Sequence, residues 1–280
     1  MTSVLRYSAF ASTPEGGNPA GIVLDASGLD DAEMQQIAAE VGYAETAFLT
    51  EPAIDGDAKH PRVRYFSPVA EVPICGHATV ATAVALARRD GLGTVVFETP
   101  VGPISIETTS DGDEITAAFT SVEPKLGGLA DDVSRTLLDL LGIGVADLDP
   151  RFPPQLSFAG NWHPVLVFAD RERFDTFGYD ADAVRDLMDA QAWTGTVITL
   201  FAIADDEFEA RNIFPVGTMD EDPATGSAAA AVGGYLRALG LAPDRLVIHQ
   251  GAHIGRPSLL TVDIPAHGGI VVSGTATEIS

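Results

Sequence analysis

The chain repeats itself at long range, and this constrains its fold more than any single motif does. Around residue 64 it reads Arg64-Tyr-Phe-Ser-Pro68-Val69, then Cys75-Gly76-His77, then ATVATAVALARRDG. Around residue 211 it reads Arg211-Asn-Ile-Phe-Pro215-Val216, then Thr225-Gly226-Ser227, then AAAAVGGYLRALG. Each passage is an extended apolar segment, a loop, a Gly-His or Gly-Ser pair and a helix of small residues, with Gly91 or Gly240 placed to end it. A second anchor agrees. Gly17-Asn18-Pro19 runs into GIVLD and Gly160-Asn161-Trp-His-Pro164 into VLVFAD, and a helical stretch follows each, from Asp30 and from Asp180. Asn18 precedes Asn161 by 143 positions and Gly76 precedes Gly226 by 150. Two anchors at nearly one offset read as two homologous α/β halves joined near SVEPKLGG at 121–128.

The helices expected at 77–90 and 227–239 carry small apolar residues on every face. A surface helix shows a polar stripe, so these two belong inside, enclosed by sheet. Strand-like stretches surround them: TVVFETP, PISIETT, EITAAFTSV, LVIHQG, SLLTVDI and GGIVVSG. The expected fold class is mixed α/β (α+β), with two homologous lobes, each a barrel-like, mostly antiparallel sheet around one central helix. The first lobe is expected over 1–121 with a C-terminal strand at about 266–280, the second over 122–265. A cleft between such lobes is where a ligand is expected.

Composition narrows the partners. Forty acidic residues against 16 basic ones give a net charge of −24, and a chain with only two lysines, Lys59 and Lys125, builds no phosphate-binding face easily. Nucleic acid and anionic membrane are therefore not expected partners. The single cysteine, Cys75, excludes an internal disulfide, a Cys-rich zinc site and catalysis by two thiols of one chain. A lone thiol fits a reducing cytoplasm. The N-terminus carries no basic start followed by an apolar run, so no secretory signal is expected.

Chemistry is expected where the two halves differ. Glu45 lies in the mostly apolar Gly-Tyr-Ala-Glu-Thr-Ala-Phe, and the corresponding TGTVITLF has no carboxylate. His77 opens one small-residue helix and Ser227 the other. Only the second half has the acidic loop from Thr218 to Pro223, with Asp222. The helix starts at Gly76 and Gly226 would offer free N–H groups and positive dipole ends to a carboxylate or enolate. A carboxyl group in an apolar pocket can take up and return a proton near neutral pH. The set therefore suits moving a proton on a carbon next to a carboxylate. Each residue also has a plainer reading: Glu45 a strand-edge acid, His77 a helix-start histidine bonded to backbone, Asp222 a cap or a solvated turn. Cys75 reads as a small buried residue. His249 and His253 have metal-pair spacing, but they flank Gly251 without an acidic neighbour, so no metal site is expected there. No GxSxG elbow, P-loop or strand-borne GxGxxG is present.

Taken in order, GNPAGIVLD, AETAFL, RYFSPVAEVPICGHATVATA, NIFPVGTMDEDPATGSAAAAVGGYL and HQGAHIGRPSLL resemble the PhzF-like phenazine biosynthesis protein family, from about residue 4 to about 275. That family has the diaminopimelate epimerase fold. The resemblance implies a cofactor-independent, homodimeric isomerase with its site between two lobes. Phenazine-forming members isomerise trans-2,3-dihydro-3-hydroxyanthranilate by a glutamate that carries a proton between ring carbons. That glutamate matches Glu45; the other catalytic positions match His77 and Asp222. Asn18, Gly76, Gly226 and Ser227 match positions around the substrate and its carboxylate. The two-cysteine racemases of the same fold carry one thiol at each helix start. Here the second position is Thr225, which excludes that chemistry and leaves Cys75 as an ancestral or packing residue. RYSAF lacks the acid that many relatives carry before the aromatic residue. His-Ala-Thr stands where phenazine-making members carry His-Pro-Leu, so the implied substrate is a small carboxylate other than theirs. The competing readings are a lyase or tautomerase using the same carbanion chemistry, and a non-catalytic protein that binds a small acid.

Overall fold

The computed structural model describes residues 2–216 and 219–280. These form two compact units, one of residues up to Thr120 with Ser273–Ser280, the other of Ser121–Val272. The first contains β1 (Leu5–Ala9), β2 (Asn18–Val23), α1 (Asp31–Val41), β3 (Glu45–Glu51), β4 (Arg62–Phe66), β5 (Glu71–Val72), α2 (Gly76–Asp90), β6 (Gly93–Thr99), β7 (Gly102–Asp111) and β8 (Glu114–Thr120). The second contains β9 (Lys125–Gly127), α3 (Asp131–Leu140), β10 (Gln155–Phe158), β11 (Trp162–Phe168), α4 (Arg171–Thr176), α5 (Ala181–Ala190), β12 (Val197–Ala204), β13 (Glu207–Ile213), β14 (Glu221–Asp222), α6 (Gly226–Leu239), β15 (Arg245–Gln250) and β16 (Ser258–Asp263). The last strand, β17 (Val271–Glu278), rejoins the first unit through Tyr7–Glu278, Ser8–Thr277 and Ala9–Ala276 pairs.

In the first unit the ladder runs β1–β2–β3–β4–β6–β7–β8–β17 and returns to β1, so eight strands close a barrel. Closure removes both sheet edges and leaves an interior for one element. That element is α2, in which every residue from His77 to Ala87 is buried. Only Ala, Thr, Val and one Leu follow His77 there, small enough for strands to pass on all sides. Outside the barrel, α1 opens with a capping box between Asp30 and Glu33. Its buried face packs Met34 and Ala38 against Val23, Phe48 and Phe66.

The second unit repeats the pattern strand for strand. β11–β12 is parallel like β2–β3, β12–β13 antiparallel like β3–β4, and β13–β15 parallel like β4–β6. Short β14 returns on β13 as β5 does on β4, and in each unit the buried small-residue helix follows it. In α6 every residue from Ala228 to Leu236 is buried. On the far side α3, α4 and α5 supply Leu137, Leu138, Phe174, Val184 and Met188 to a core shared with Phe168 and Ile213.

The repeated arginines receive a structural role. Arg64 forks onto both oxygens of Glu71 at 2.7 Å and bonds Asp31, fastening β4 to β5. Arg211 bonds Glu221 at 2.5 and 3.2 Å, fastening β13 to β14. The second pair is deeper: the Arg211 and Glu221 side chains are 10% and 8% exposed, and the guanidinium lies 4.0 Å over the Phe177 ring.

The mixed α+β fold, the buried helices and the strand stretches match expectation. Two differences have plain causes. The last strand starts at Val271 rather than at about 266, because Gly268 turns the chain at φ +78°. It then continues through polar Ser-Gly-Thr-Ala-Thr-Glu, where backbone pairing with β1 sets the structure and hydrophobicity does not. Helices α3 and α4 were not anticipated; α3 buries only Leu137 and Leu138, and α4 only Phe174. Among the described residues, no helix is long and apolar enough to cross a membrane.

Candidate active site

In the first unit, Glu45 is the first residue of β3 and registers with Ala20 on β2. Asn18 opens β2, fully buried, two positions before Ala20. Cys75 is the N-cap of α2 in extended backbone, Gly76 is the first helical residue and His77 follows. This brings three side chains of different chemistry together. The Cys75 Sγ lies 3.3 Å from Glu45 Oε2 and 3.3 Å from His77 Nδ1. His77 Nε2 lies 3.4 Å from the same Glu45 oxygen. The His77 side chain is 7% exposed and that of Glu45 20%. Burial pushes the His77 imidazole below its ordinary value, and the neighbouring Glu45 charge opposes this only in part. Burial therefore favours the neutral form of His77. The turn is held from β4: Thr79 Oγ1 donates to the Cys75 carbonyl at 2.7 Å, so the buried Tyr65 hydroxyl, 2.7 Å away, donates to Thr79.

In the second unit, Asp222 ends β14 opposite Asn212, and its Oδ2 accepts from the Thr225 hydroxyl. Thr225 is the N-cap of α6, the position Cys75 holds on α2. Gln250, at the end of β15, ties this corner: its Nε2 donates to the Asp222 carbonyl at 2.7 Å and to Thr225 Oγ1 at 3.0 Å, while its Oε1 accepts from the Thr225 amide at 3.2 Å. Ser227 bonds elsewhere, to His163 Nε2 at 3.2 Å. His163 Nδ1 lies 3.0 Å from the Thr196 carbonyl, which only accepts, so Nδ1 carries the proton and Nε2 accepts from Ser227. Burial lowers the His163 pKa to about 4, which keeps that direction at neutral pH.

Two glycines shape this corner. Gly251 has φ +78°, and a Cβ there would meet the Arg256 carbonyl and, at 2.7 Å, the Pro223 carbonyl. A Cβ on Gly195 would lie 2.5 Å from His163 Cε1.

Of the expected residues, Glu45 and His77 stand together, and Gly76 and Gly226 begin the two buried helices. Asp222 is bonded to Thr225 and Ser227 to His163, so the two flank one helix start with different partners. Thr218, at the start of the acidic loop, lies outside the described residues. Cys75 is buried as expected, but it touches both Glu45 and His77 and is more than packing. The acidic neighbours that the sequence around His249 and His253 lacks come from elsewhere. Glu207 lies 2.9 Å from His249, and Asp175 3.1 Å from His253, because β13 runs beside β15 and α4 packs nearby. His163 and Gln250 went unremarked. The one signal for His163 was the insertion Trp162-His163 between Asn161 and Pro164, where the first half has Asn18-Pro19.

Comparison with known proteins agrees with this architecture. The family described as phenazine biosynthesis-like protein, PhzC-PhzF, matches residues 7–280. An uncharacterized isomerase, YddE, of Escherichia coli O157:H7 is 31% identical, over 98% of this chain and 95% of its own. The trans-2,3-dihydro-3-hydroxyanthranilate isomerase of Pseudomonas fluorescens is 33% identical, over 93% of this chain and 89% of its own. The crystal structure of a PhzF-family phenazine biosynthesis protein of Bacillus anthracis superposes with a TM-score of 0.85 at 28% identity, covering 99% of this chain and 96% of that one. With nearly its whole length matched and its curated relatives named isomerases, the chain belongs to the phenazine biosynthesis-like PhzC-PhzF family and is an isomerase of that family.

Proposed function

We propose that the protein isomerises a small carboxylate-bearing molecule without a cofactor, by proton transfer through Glu45. The observation that carries this reading is the placement of Glu45 against a buried, neutral His77 and the Cys75 thiol at the N-terminus of α2. A carboxylate so placed can take a proton from an activated carbon and return it to another carbon of the same molecule, with no net change in protons. Its neighbour His77, being neutral, has one N–H, which on Nε2 faces Glu45 and holds the carboxylate in place. The free N–H groups at the starts of α2 and α6, from Gly76 and Gly226, suit a carboxylate or enolate oxygen. On this reading Ser227 and Asn18 bind substrate and Asp222 completes the catalytic set. The substrate resembles that of the Pseudomonas fluorescens relative in carrying a carboxylate beside an acidic carbon. The His-Ala-Thr start of α2 favours a different skeleton. We further assign the protein to the cytoplasm, as a homodimer whose partners are small acids.

The test is carbon-bound deuterium uptake from heavy water, followed by NMR across a panel of cyclic and unsaturated carboxylates. Glu45→Gln should slow uptake by roughly 10²–10⁴-fold, the range for losing a positioned acid–base group. Equal rates for Glu45→Gln and the parent would overturn the assignment. A ligand that binds with no exchange at any carbon would point to a binding protein.

A further inference from the structure

We infer that Cys75 is a positioning residue for Glu45, holding its oxygen Oε2 and leaving Oε1 as the atom that carries the proton. That Oε1 acts on a substrate rests on the proposed function. The two oxygens of Glu45 differ in their surroundings. The Cys75 thiol donates to Oε2 at 3.3 Å, and His77 Nε2 lies 3.4 Å from the same atom. Among the described residues, Oε1 has no polar partner. The Cys75 Sγ is 3.3 and 3.7 Å from the two nitrogens of the His77 ring, so it lies against the imidazole and in line with neither lone pair. A thiolate at 3.3 Å from a carboxylate oxygen would repel it. The sulfur therefore keeps its proton and points it at Glu45.

The second unit carries the same device. An N-cap side chain ordinarily accepts from the first N–H groups of its own helix. Neither Cys75 on α2 nor Thr225 on α6 does so. Each donates outwards to a carboxylate instead: Cys75 to Glu45 Oε2, and Thr225 to Asp222 Oδ2. Two caps turned away from their helices leave the helix N–H groups for a ligand anion and fix one carboxylate beside each helix start.

Such a hold suits a carboxyl group that must gain and lose a proton. In the carboxylate form, Oε2 accepts from the thiol and from the imidazole N–H. When Oε1 takes the substrate proton, Oε2 becomes the carbonyl oxygen and still accepts from both. Neither donor loses its partner in either state, so the carboxyl plane need not turn between taking the proton and returning it.

The unaltered protein tests the bond itself, because Cys75 is the only cysteine and gives a single S–H stretching band in the Raman spectrum. The band should lie at the low frequency of a thiol bonded to a carboxylate and should rise in Glu45→Leu. A band at the frequency of an unbonded thiol, or one that Glu45→Leu leaves in place, would overturn the hold on Oε2. Deuterium exchange tests the consequence. At matched folded concentration, Cys75→Ala should lower kcat by roughly tenfold, the worth of one hydrogen bond, with KM nearly unchanged. Cys75→Ser keeps a donor and should recover most of the rate. A parent-like kcat in Cys75→Ala, or no recovery in Cys75→Ser, would contradict the positioning role. A bonded S–H band together with parent-like exchange by Glu45→Gln would count against Glu45 as the base and leave the hold on Oε2 standing.

Discussion

Arg211→Ala offers a sharp test of how the unit containing Asp222 is held together. Arg211 bonds Glu221 at 2.5 and 3.2 Å and donates to the Phe174 and Phe177 carbonyls at 3.1 and 3.2 Å. With both side chains of the pair about nine-tenths buried, its removal leaves a buried carboxylate and two carbonyls without their donor. Breaking such a buried pair from one side costs about 3–5 kcal/mol. The repeat supplies an internal control, because Arg64 plays the same part in the other unit with partners 35% and 77% exposed. Solvent-exposed pairs contribute about 0–1 kcal/mol, so Arg64→Ala should lie near that figure. Both tryptophans, Trp162 and Trp193, lie in the unit of Arg211. Urea unfolding followed by tryptophan fluorescence therefore reads the right part of the molecule. Arg211→Ala should lower the midpoint with little change in slope. It should lower Tm by roughly 10 °C, at about 2–4 °C per kcal/mol. The paired replacement Arg211→Met with Glu221→Leu should recover most of the loss. A cost below 1 kcal/mol for Arg211→Ala, or one equal to Arg64→Ala, would refute the reasoning.

Further outcomes follow from the same geometry. His163 is depressed to about 4 by burial, so its contribution is intact above its ordinary value of about 6.5 and is lost as pH falls from there towards 4, up to about 3 kcal/mol. Urea midpoints at pH 7 and pH 4.5 should therefore converge more for His163→Gln than for the parent; identical pH dependences would contradict it. Gly251→Ala should lose about 1–3 kcal/mol, since φ +78° and the Pro223 carbonyl at 2.7 Å both oppose a side chain. An unchanged thermal midpoint would show that the loop relaxes freely. Tyr65→Phe should cost about 1 kcal/mol, because the Thr79 hydroxyl loses its buried donor, and calorimetry would show it.

The duplication made most of the fold legible, because two copies of one pattern expose what a single copy hides. GHATVATAVALA and GSAAAAVGGYL, alike in size and lacking a polar face, already said that each helix lies inside a sheet. The capping box at Asp30 and Glu33 is equally local and equally readable. Elements that tertiary pairing decides were not readable: β17 runs through polar Thr275-Ala-Thr-Glu278 because β1 and β8 pair with it. The same division runs through the site. Glu45 and His77 were visible as an acid in an apolar strand and an imidazole at a helix start. The contact of Glu45 with Cys75, and the bonds of Gln250 to Thr225 and of His163 to Ser227, span 25 to 64 residues. No local periodicity reports such pairs. His253 shows the converse, since its acidic neighbours are distant in sequence and adjacent in space.

The central claim is that Glu45 carries the proton. Its most direct measurement compares deuterium incorporation from heavy water by the parent and by Glu45→Gln, on one substrate that turns over and at matched folded concentration. The account predicts incorporation at carbon with the parent and a fall of roughly 10²–10⁴-fold in the variant, with substrate binding retained. Undiminished incorporation by Glu45→Gln would contradict it.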